Sequence, residues 1–288
     1  MMRENVEFKS LDRTPLSAFL YTPDSGNGPF PAIVLSHGFG AVKEMALDRY
    51  ANVFCVSGFA CLVYDHRNTG SSGGVPRGEI DPWQQISDMR DAITYVGSRV
   101  EVDADRIGLW GTSFSGGHSL VVAATDRRIK CVVSVVPTIS GHQNTIRALT
   151  TDGYAAFVRE VNEERVVRQR GEEPRMSPIS QEGDESYEWS KVAGAGTTYV
   201  NTCTLLSRSF RDAYEPGRYI AYISPTPLML ALATHDTKCF TDLQLEAYSK
   251  AHEPKRLKMF PGGHYEPYTK QLDAIASASC DWFAKYLS

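Results

Sequence analysis

The sequence has few cysteines, no long apolar run, no excess of basic charge and no repeats. Its six cysteines, Cys55, Cys61, Cys131, Cys203, Cys239 and Cys280, are scattered, with no C-x-x-C pair and no metal-binding spacing. A disulfide framework and a zinc site are therefore not expected, and most of the thiols read as small buried hydrophobes. No segment approaches the roughly 20 apolar residues that a membrane span requires. The N-terminus, MMRENVEFKS, has neither an apolar core nor a cleavage signature. The chain thus reads as a cytoplasmic protein with no membrane partner. A formal net charge of -4 and a pI of about 6.0 leave no basic footprint for nucleic acid. Low-complexity tracts are absent too.

What is present is an ordinary globular composition, 42% hydrophobic and 22% charged, in 288 residues. That length buries a large core without disulfide or metal support. Alternating segments Val6–Lys9 and Leu16–Tyr21 predict an opening β-meander, followed by a loop over 22–31. Short continuous apolar runs then suit strands buried on both faces: Ala32–Leu35, Ala60–Tyr64, Ile107–Trp110, Cys131–Val136, Leu228–Ala233 and Leu257–Phe260. Helices are predicted between them at 44–57, 81–96, just after Ser113, and at 242–250, with a last helix at 272–287. Strands alternating with helices predict an α/β fold with a mostly parallel central sheet flanked by helices. Residues 139–222 break this rhythm and hold scattered aromatics, among them Tyr154, Trp189 and Tyr214. They read as a cap inserted over the sheet's C-terminal edge, dividing the core into residues 1–138 and 223–288.

The segment Arg106–Gly117, RIGLWGTSFSGG, carries the most chemistry. A buried strand runs into a tight turn and a small-residue helix follows, the setting of a nucleophile elbow. The strained serine needs small residues two positions to either side. Gly111 supplies one, and Ser115 stands where glycine is usual, backed by Gly116 and Gly117. Ser113 is therefore the candidate nucleophile.

A serine hydroxyl needs a base to take its proton. In folds with this elbow the chain order is serine, acid, histidine. His264, in the glycine-rich loop FPGGHY after the last strand, is the candidate base; His252 sits in a charged helical segment and reads as a surface residue. Asp236, just past the strand Leu228–Ala233, is the candidate acid, and His235 beside it reads as shaping that loop. Asp242 is the alternative acid, although helix capping explains it more simply. Cys239 lies close to the same loop. The loop SHGFG after the first buried strand places the Phe39 amide as one oxyanion donor, and the Phe114 amide supplies the other. His37 reads as structural. In YDHRNTGSSGG, Asp65 and Arg67 are expected to pair with each other, and Asp88 and Asp91 to be solvated or locally paired.

The motifs LSHGFG, YDHRNTGSSGG, GTSFSGG, ATHDT and PGGHYEPY occur in the order seen in the α/β-hydrolase superfamily. The pattern resembles the fungal polyketide transferase/hydrolase group, and around GTSFSGG it is similar to dienelactone-hydrolase-like and Xaa-Pro-peptidase-like enzymes. The resemblance implies the α/β-hydrolase fold and ester or thioester hydrolysis, or acyl transfer, in polyketide-type secondary metabolism. It carries the triad onto Ser113, Asp236 and His264. The aromatic cap suggests a medium-sized, largely apolar acyl group, free or presented on a carrier protein. No organic cofactor or metal is implied. The oligomeric state stays open, a homodimer included. Two other readings stay open: a lyase or cyclase using His264 as a base, and a non-catalytic binding protein on the same scaffold.

Overall fold

Each central strand has two apolar faces, and this decides the architecture. The computed structural model describes residues 1–24, 26 and 28–287. Residues 25 and 27 of the predicted loop over 22–31, and residue 288 of the predicted C-terminal core segment, lie outside the described residues. The core strands are β1 (Met2–Lys9), β2 (Pro15–Thr22), β3 (Phe30–Ser36), β4 (Ala60–Tyr64), β5 (Val102–Thr112), β6 (Ile129–Val135), β9 (Leu228–Ala233) and β10 (Lys255–Phe260). Among the described residues they form one sheet in the order β1-β2-β4-β3-β5-β6-β9-β10. β2 pairs antiparallel with both β1 and β4; every other pairing is parallel.

Successive side chains of a strand point to opposite faces, so each short apolar run feeds two cores. Val34, Leu62, Leu228 and Leu230 pack beneath helices α2 (Pro82–Gly97), α3 (Phe114–Thr125) and α8 (Thr241–Lys250). Ile33, Cys61, Val63 and Met229 pack on the other face, against α1 (Leu47–Val56) and α9 (Leu272–Leu287). Asp81 caps α2 by accepting from the Trp83 amide at 2.8 Å, with Pro82 in the first turn. Helix α1 begins at Leu47, later than the predicted 44, because the Lys43 amide is bound to the Asp65 carboxylate at 2.7 Å and the chain there remains a loop.

Residues 139–222 enter between β6 and β9, which are neighbours in the sheet. They form α4 (Gly141–Ala148), α5 (Thr151–Gln169), α6 (Glu185–Ala193), α7 (Leu205–Asp212), a short ribbon of β7 (Met176–Pro178) with β8 (Thr202–Thr204), and a 3-10 turn over Pro216–Tyr222. The polar stretch 171–190 therefore holds β7 and the start of α6. The buried Glu164 carboxylate accepts from Arg168 at 3.0 Å and Arg175 at 2.9 Å, and Arg168 also pairs with Glu79 of the core. The Ser207 hydroxyl accepts from the Ile80 amide at 2.8 Å, a second tie to the core. No helix among the described residues is long and apolar enough to cross a membrane.

Leu230 is fully buried on β9 at the centre of one core. Leu230→Ala should therefore lower unfolding stability by about 2–5 kcal/mol, read as a shifted urea midpoint with an unchanged slope.

Candidate active site

β5 ends at Thr112, and the chain must reverse at once to begin α3. Ser113 does this at φ 56° and ψ -116°, a region that a residue with a side chain rarely occupies. Its amide donates to Val135 O at 2.9 Å, and its carbonyl accepts from Thr138 N at 2.9 Å and Gly117 N at 3.2 Å. The turn is closed so tightly that a Cβ on Gly111 would stand 2.2 Å from Ser115 O. The strain presents Ser113 Oγ outward from the sheet edge.

The ends of β9 and β10 bring the other two predicted residues to it. His264 Nε2 lies 2.9 Å from Ser113 Oγ, and its Nδ1 lies 2.8 Å from Asp236 Oδ2. The Lys238 and Cys239 amides donate to Asp236 Oδ1 at 2.8 and 2.9 Å, and Gln244 Nε2 donates to Oδ2 at 3.2 Å. Burial opposes the charge on Asp236, but the His264 imidazole and these amides outweigh it and hold the carboxyl below its ordinary range. An ionised Asp236 favours the His264 tautomer with its proton on Nδ1, leaving Nε2 free to accept from the serine. The other acid weighed from the sequence, Asp242, is exposed in the first turn of α8 and pairs with Arg147 at 2.8 Å. His235 hydrogen-bonds Thr234 at 2.8 Å, and His252 is on the surface.

The loop after β3 crosses directly over the serine. A Cβ on Gly38 would come within 3.1 Å of Ser113 Cβ, so any larger residue there would have to push the serine aside by a few tenths of an ångström. The Phe39 and Phe114 rings meet edge to face at 5.3 Å. Neither backbone amide has an acceptor among the described residues. Two free N–H groups thus flank the serine, and that of Phe114 opens a helix, where the dipole favours negative charge.

The loop's position is set by a buried ion pair. Asp65, at the end of β4, accepts from Lys43 N at 2.7 Å, Lys43 Nζ at 2.6 Å and Ser71 N at 2.9 Å. Asp65 is therefore not paired with Arg67, as the sequence suggested. Arg67 forks instead onto the fully buried Asp88 of α2 and reaches Asp12 at 2.7 Å. Asp88 is accordingly neither solvated nor paired with its helix neighbour, and Asp91 accepts from the Leu11 amide at 2.8 Å. Proximity in sequence misled here, because β4 carries its loop into contact with both the β3 loop and α2.

Behind the elbow lie three buried histidines that sequence reasoning left unassigned or called only structural. His66 Nε2 lies 2.9 Å from Ser115 Oγ, so the residue in place of the usual glycine is a hydrogen-bonding partner and more than a small spacer. The His66 ring packs edge to face with His37 at 4.8 Å and with His118 at 5.6 Å. His118 bonds Tyr214 at 2.8 Å and Gln85 at 3.0 Å. Burial lowers the basicity of all three and pushes His118 down to about 3, so they are neutral packing groups. The single sequence signal was the placement of His118 on the small-residue face of α3.

A cavity of about 330 Å³ opens onto Ser113 and His264. Its walls include Phe39, Met45 and Phe114 from the core and Ile179, Trp189 and Arg211 from residues 139–222. Trp189 stacks on Tyr265 at 5.2 Å and lies against Tyr268 at 4.8 Å. Asp236, Cys239 and His264 offer ligand atoms within 4.8 Å of one another, so a metal ion is geometrically conceivable. The donor set fits one poorly: the carboxylate and imidazole already bond each other, and burial together with Asp236 pushes the Cys239 thiol up, away from the thiolate a metal needs.

Residues 12–266 match the family model described as X-Pro dipeptidyl-peptidase (S15 family). The chain is 33% identical over 268 residues to the acyltransferase drtE of Aspergillus calidoustus, covering 88% of this chain and 84% of that protein. It is 32% identical over 274 residues to the thiohydrolase aneE of Aspergillus aculeatus, with the same coverage. Among solved structures, the α/β hydrolase GrgF of Penicillium sp. sh18 superposes with a TM-score of 0.87 at 28% identity, covering 100% of this chain and 99% of that one. The parallel sheet with flanking helices is thus that of the α/β hydrolases, as the sequence predicted.

Removing one partner of a buried pair leaves an uncompensated charge. Asp65→Ala, which leaves Lys43 with only the Glu44 carboxylate at 3.2 Å and frees two loop amides, should cost about 3 kcal/mol in chemical denaturation. A loss under 1 kcal/mol would show that the pair does not brace the loop.

Proposed function

The chain belongs to the X-Pro dipeptidyl-peptidase (S15) family and is an α/β-fold hydrolase or acyltransferase, and from that premise we propose that it cleaves an ester or thioester through an acyl-enzyme on Ser113. The observation that carries this reading is the relay from Ser113 Oγ to His264 at 2.9 Å and on to Asp236 at 2.8 Å, starting from a serine held at φ 56°. His264 Nε2 takes the serine proton as Oγ attacks the acyl carbon. Asp236 fixes the imidazole's tautomer and stabilises the imidazolium. The carbonyl oxygen becomes an oxyanion held by the Phe39 and Phe114 amides, each such donor being worth about a hundredfold or more in rate. When the tetrahedral adduct collapses, His264 returns the proton to the leaving alcohol or thiol. Water, or an acceptor alcohol, then attacks the acyl-enzyme with His264 again as base.

The similarity to proteins named acyltransferase and thiohydrolase supports a thioester or ester of polyketide type as substrate. The mixed aromatic and aliphatic wall of the cavity supports a medium-sized acyl group with a large apolar share. Residues 139–222 serve as a cap: Ile179, Trp189 and Arg211 close the cavity from that side.

Intact-protein mass spectrometry after incubation with a panel of acyl thioesters tests the mechanism. The wild type should gain the acyl mass and Ser113→Ala should not; an unlabelled wild type that also resists a fluorophosphonate would sink it. Asp236→Asn, which misplaces the imidazole proton, should lower kcat by about 10⁴-fold, measured on whichever thioester is turned over.

A further inference from the structure

The cavity over Ser113 contains a cation without a counter-ion. Arg211, on the α7 wall, has its Nε shut off from solvent with no hydrogen-bond partner. No carboxylate pairs with its guanidinium among the described residues, which instead lies over the Phe39 ring at 5.1 Å. The acids closest to it in sequence are committed elsewhere. Asp212 bonds His142 at 3.3 Å and Tyr154 at 3.2 Å, while Glu215 takes the Ser140 hydroxyl at 2.7 Å and the His142 amide at 3.3 Å; Asp184 lines the same cavity but forms no ion pair with Arg211. Arg208, one turn earlier, donates to Pro178 O at 2.9 Å and adds positive charge to the neighbourhood. Burial, then the Arg208 charge, disfavours the cationic form of Arg211, yet a guanidinium holds its proton in proteins. Asn144 of α4, the helix packed on α7, lines the same cavity with its Oδ1 buried and unpartnered.

A charge partly withdrawn from water and without an ionic partner is costly, and Arg211 lines the cavity that opens onto Ser113. A cation–π contact with Phe39 offsets part of that cost but leaves the planar donor fork unused. We propose that Arg211 is a specificity residue that pairs with a carboxylate on the acyl chain of the substrate, with Asn144 as a second polar contact. The inference rests on the acyl-hydrolase reading of the site and narrows its substrate class: an apolar acyl chain bearing one acid group remote from the carbonyl that Ser113 attacks. The planar fork of Arg211, with Arg208 engaged elsewhere, matches a carboxylate bidentately; Lys238 also lines the cavity, so a phosphate is the rival anion that the binding test separates.

The test is calorimetric binding to the full chain carrying Ser113→Ala, using monomethyl and dimethyl esters of the five- to nine-carbon straight-chain diacids. Because that protein has no nucleophile, the affinity ratio is read whether or not the serine mechanism holds, and mass labelling of the wild type judges the mechanism separately. At the best-fitting length the half-ester should bind about tenfold or more tightly than the diester, the scale of a charge-assisted pair. Adding Arg211→Met should bring that ratio to within about twofold, and Arg211→Lys should restore part of it. Equal affinities for half-ester and diester, or a ratio that survives Arg211→Met, would overturn the proposal. Tighter binding of pantetheine 4'-phosphate than of every half-ester, lost in Arg211→Met, would also overturn it by making the anion a phosphate on the thiol side.

Discussion

Ser113 must be held at a backbone angle that its own side chain resists. Such a conformation costs on the order of 1–3 kcal/mol, and it persists only because its surroundings over-determine it. The Val135 carbonyl and the Thr138 amide clamp it from β6 and the segment beyond, and the Gly117 amide closes the first turn of α3. Any relaxation toward an ordinary turn would carry Oγ back over the sheet and break the 2.9 Å contact with His264. The two apolar cores on either face of the sheet supply the rigidity that makes the strain sustainable. The sheet's parallel order does the rest, since it brings the C-terminal ends of β3, β5, β9 and β10 to the same edge.

A second set of buried groups sets the loops around that point. Lys43 with Asp65, and Arg67 with Asp88, are ion pairs in which the acid is fully buried. Ion pairs of this kind contribute little net stability over apolar replacements. What they fix is geometry. Asp65 takes two donors from Lys43 and one from Ser71, so the β3 loop with its Phe39 amide cannot drift from the β4 loop. Arg67 joins the same loop to α2 and to the opening hairpin through Asp12. The Phe39 amide, one of the two proposed oxyanion donors, is thus positioned by charges that do not contact Ser113 or His264.

The elements whose signal is local were legible in the sequence. The apolar runs of β3, β4 and β9, the Asp81-Pro82 start of α2 and the RIGLWGTSFSGG turn each announce themselves within a dozen residues. Asp236 and His264 could be picked out because a strand end and a glycine-rich loop are visible in one dimension. Long-range pairings were not legible. Asp65 and Arg67 stand two apart, and the sequence favoured joining them; which way each side chain leaves the end of β4 is decided by Lys43 and Asp88, neither of which any local pattern connects to them. The contact between His66 and Ser115 is hidden for the same reason, because it crosses 49 residues of chain. Within 139–222 no periodicity marked β7, β8 or α6. Their order comes from ties to the core, such as that of Arg168 to Glu79, and from packing around Trp189.

The site divides its polarity between two sources. On the core side, Asp65 and Asp88 are paired, Asp236 is bonded to His264, and His37, His66 and His118 are made neutral by burial. Burial of both Asp236 and His264 strengthens the interaction between the carboxylate and an imidazolium. The inserted segment contributes the opposite: a guanidinium without a partner, laid on the ring of Phe39, whose own amide flanks Ser113. On the proposed reading, the reacting groups are ones the core holds fixed, and discrimination between substrates would fall to side chains on α4, α6 and α7. The two meet at Phe39. If the proposed substrate anion draws Arg211 toward itself, it also alters what lies over that ring, which would join binding at the far end of the acyl chain to the position of the Phe39 amide. Binding energy from a remote group can by this route be expressed in the transition state, where it raises the rate as well as the affinity.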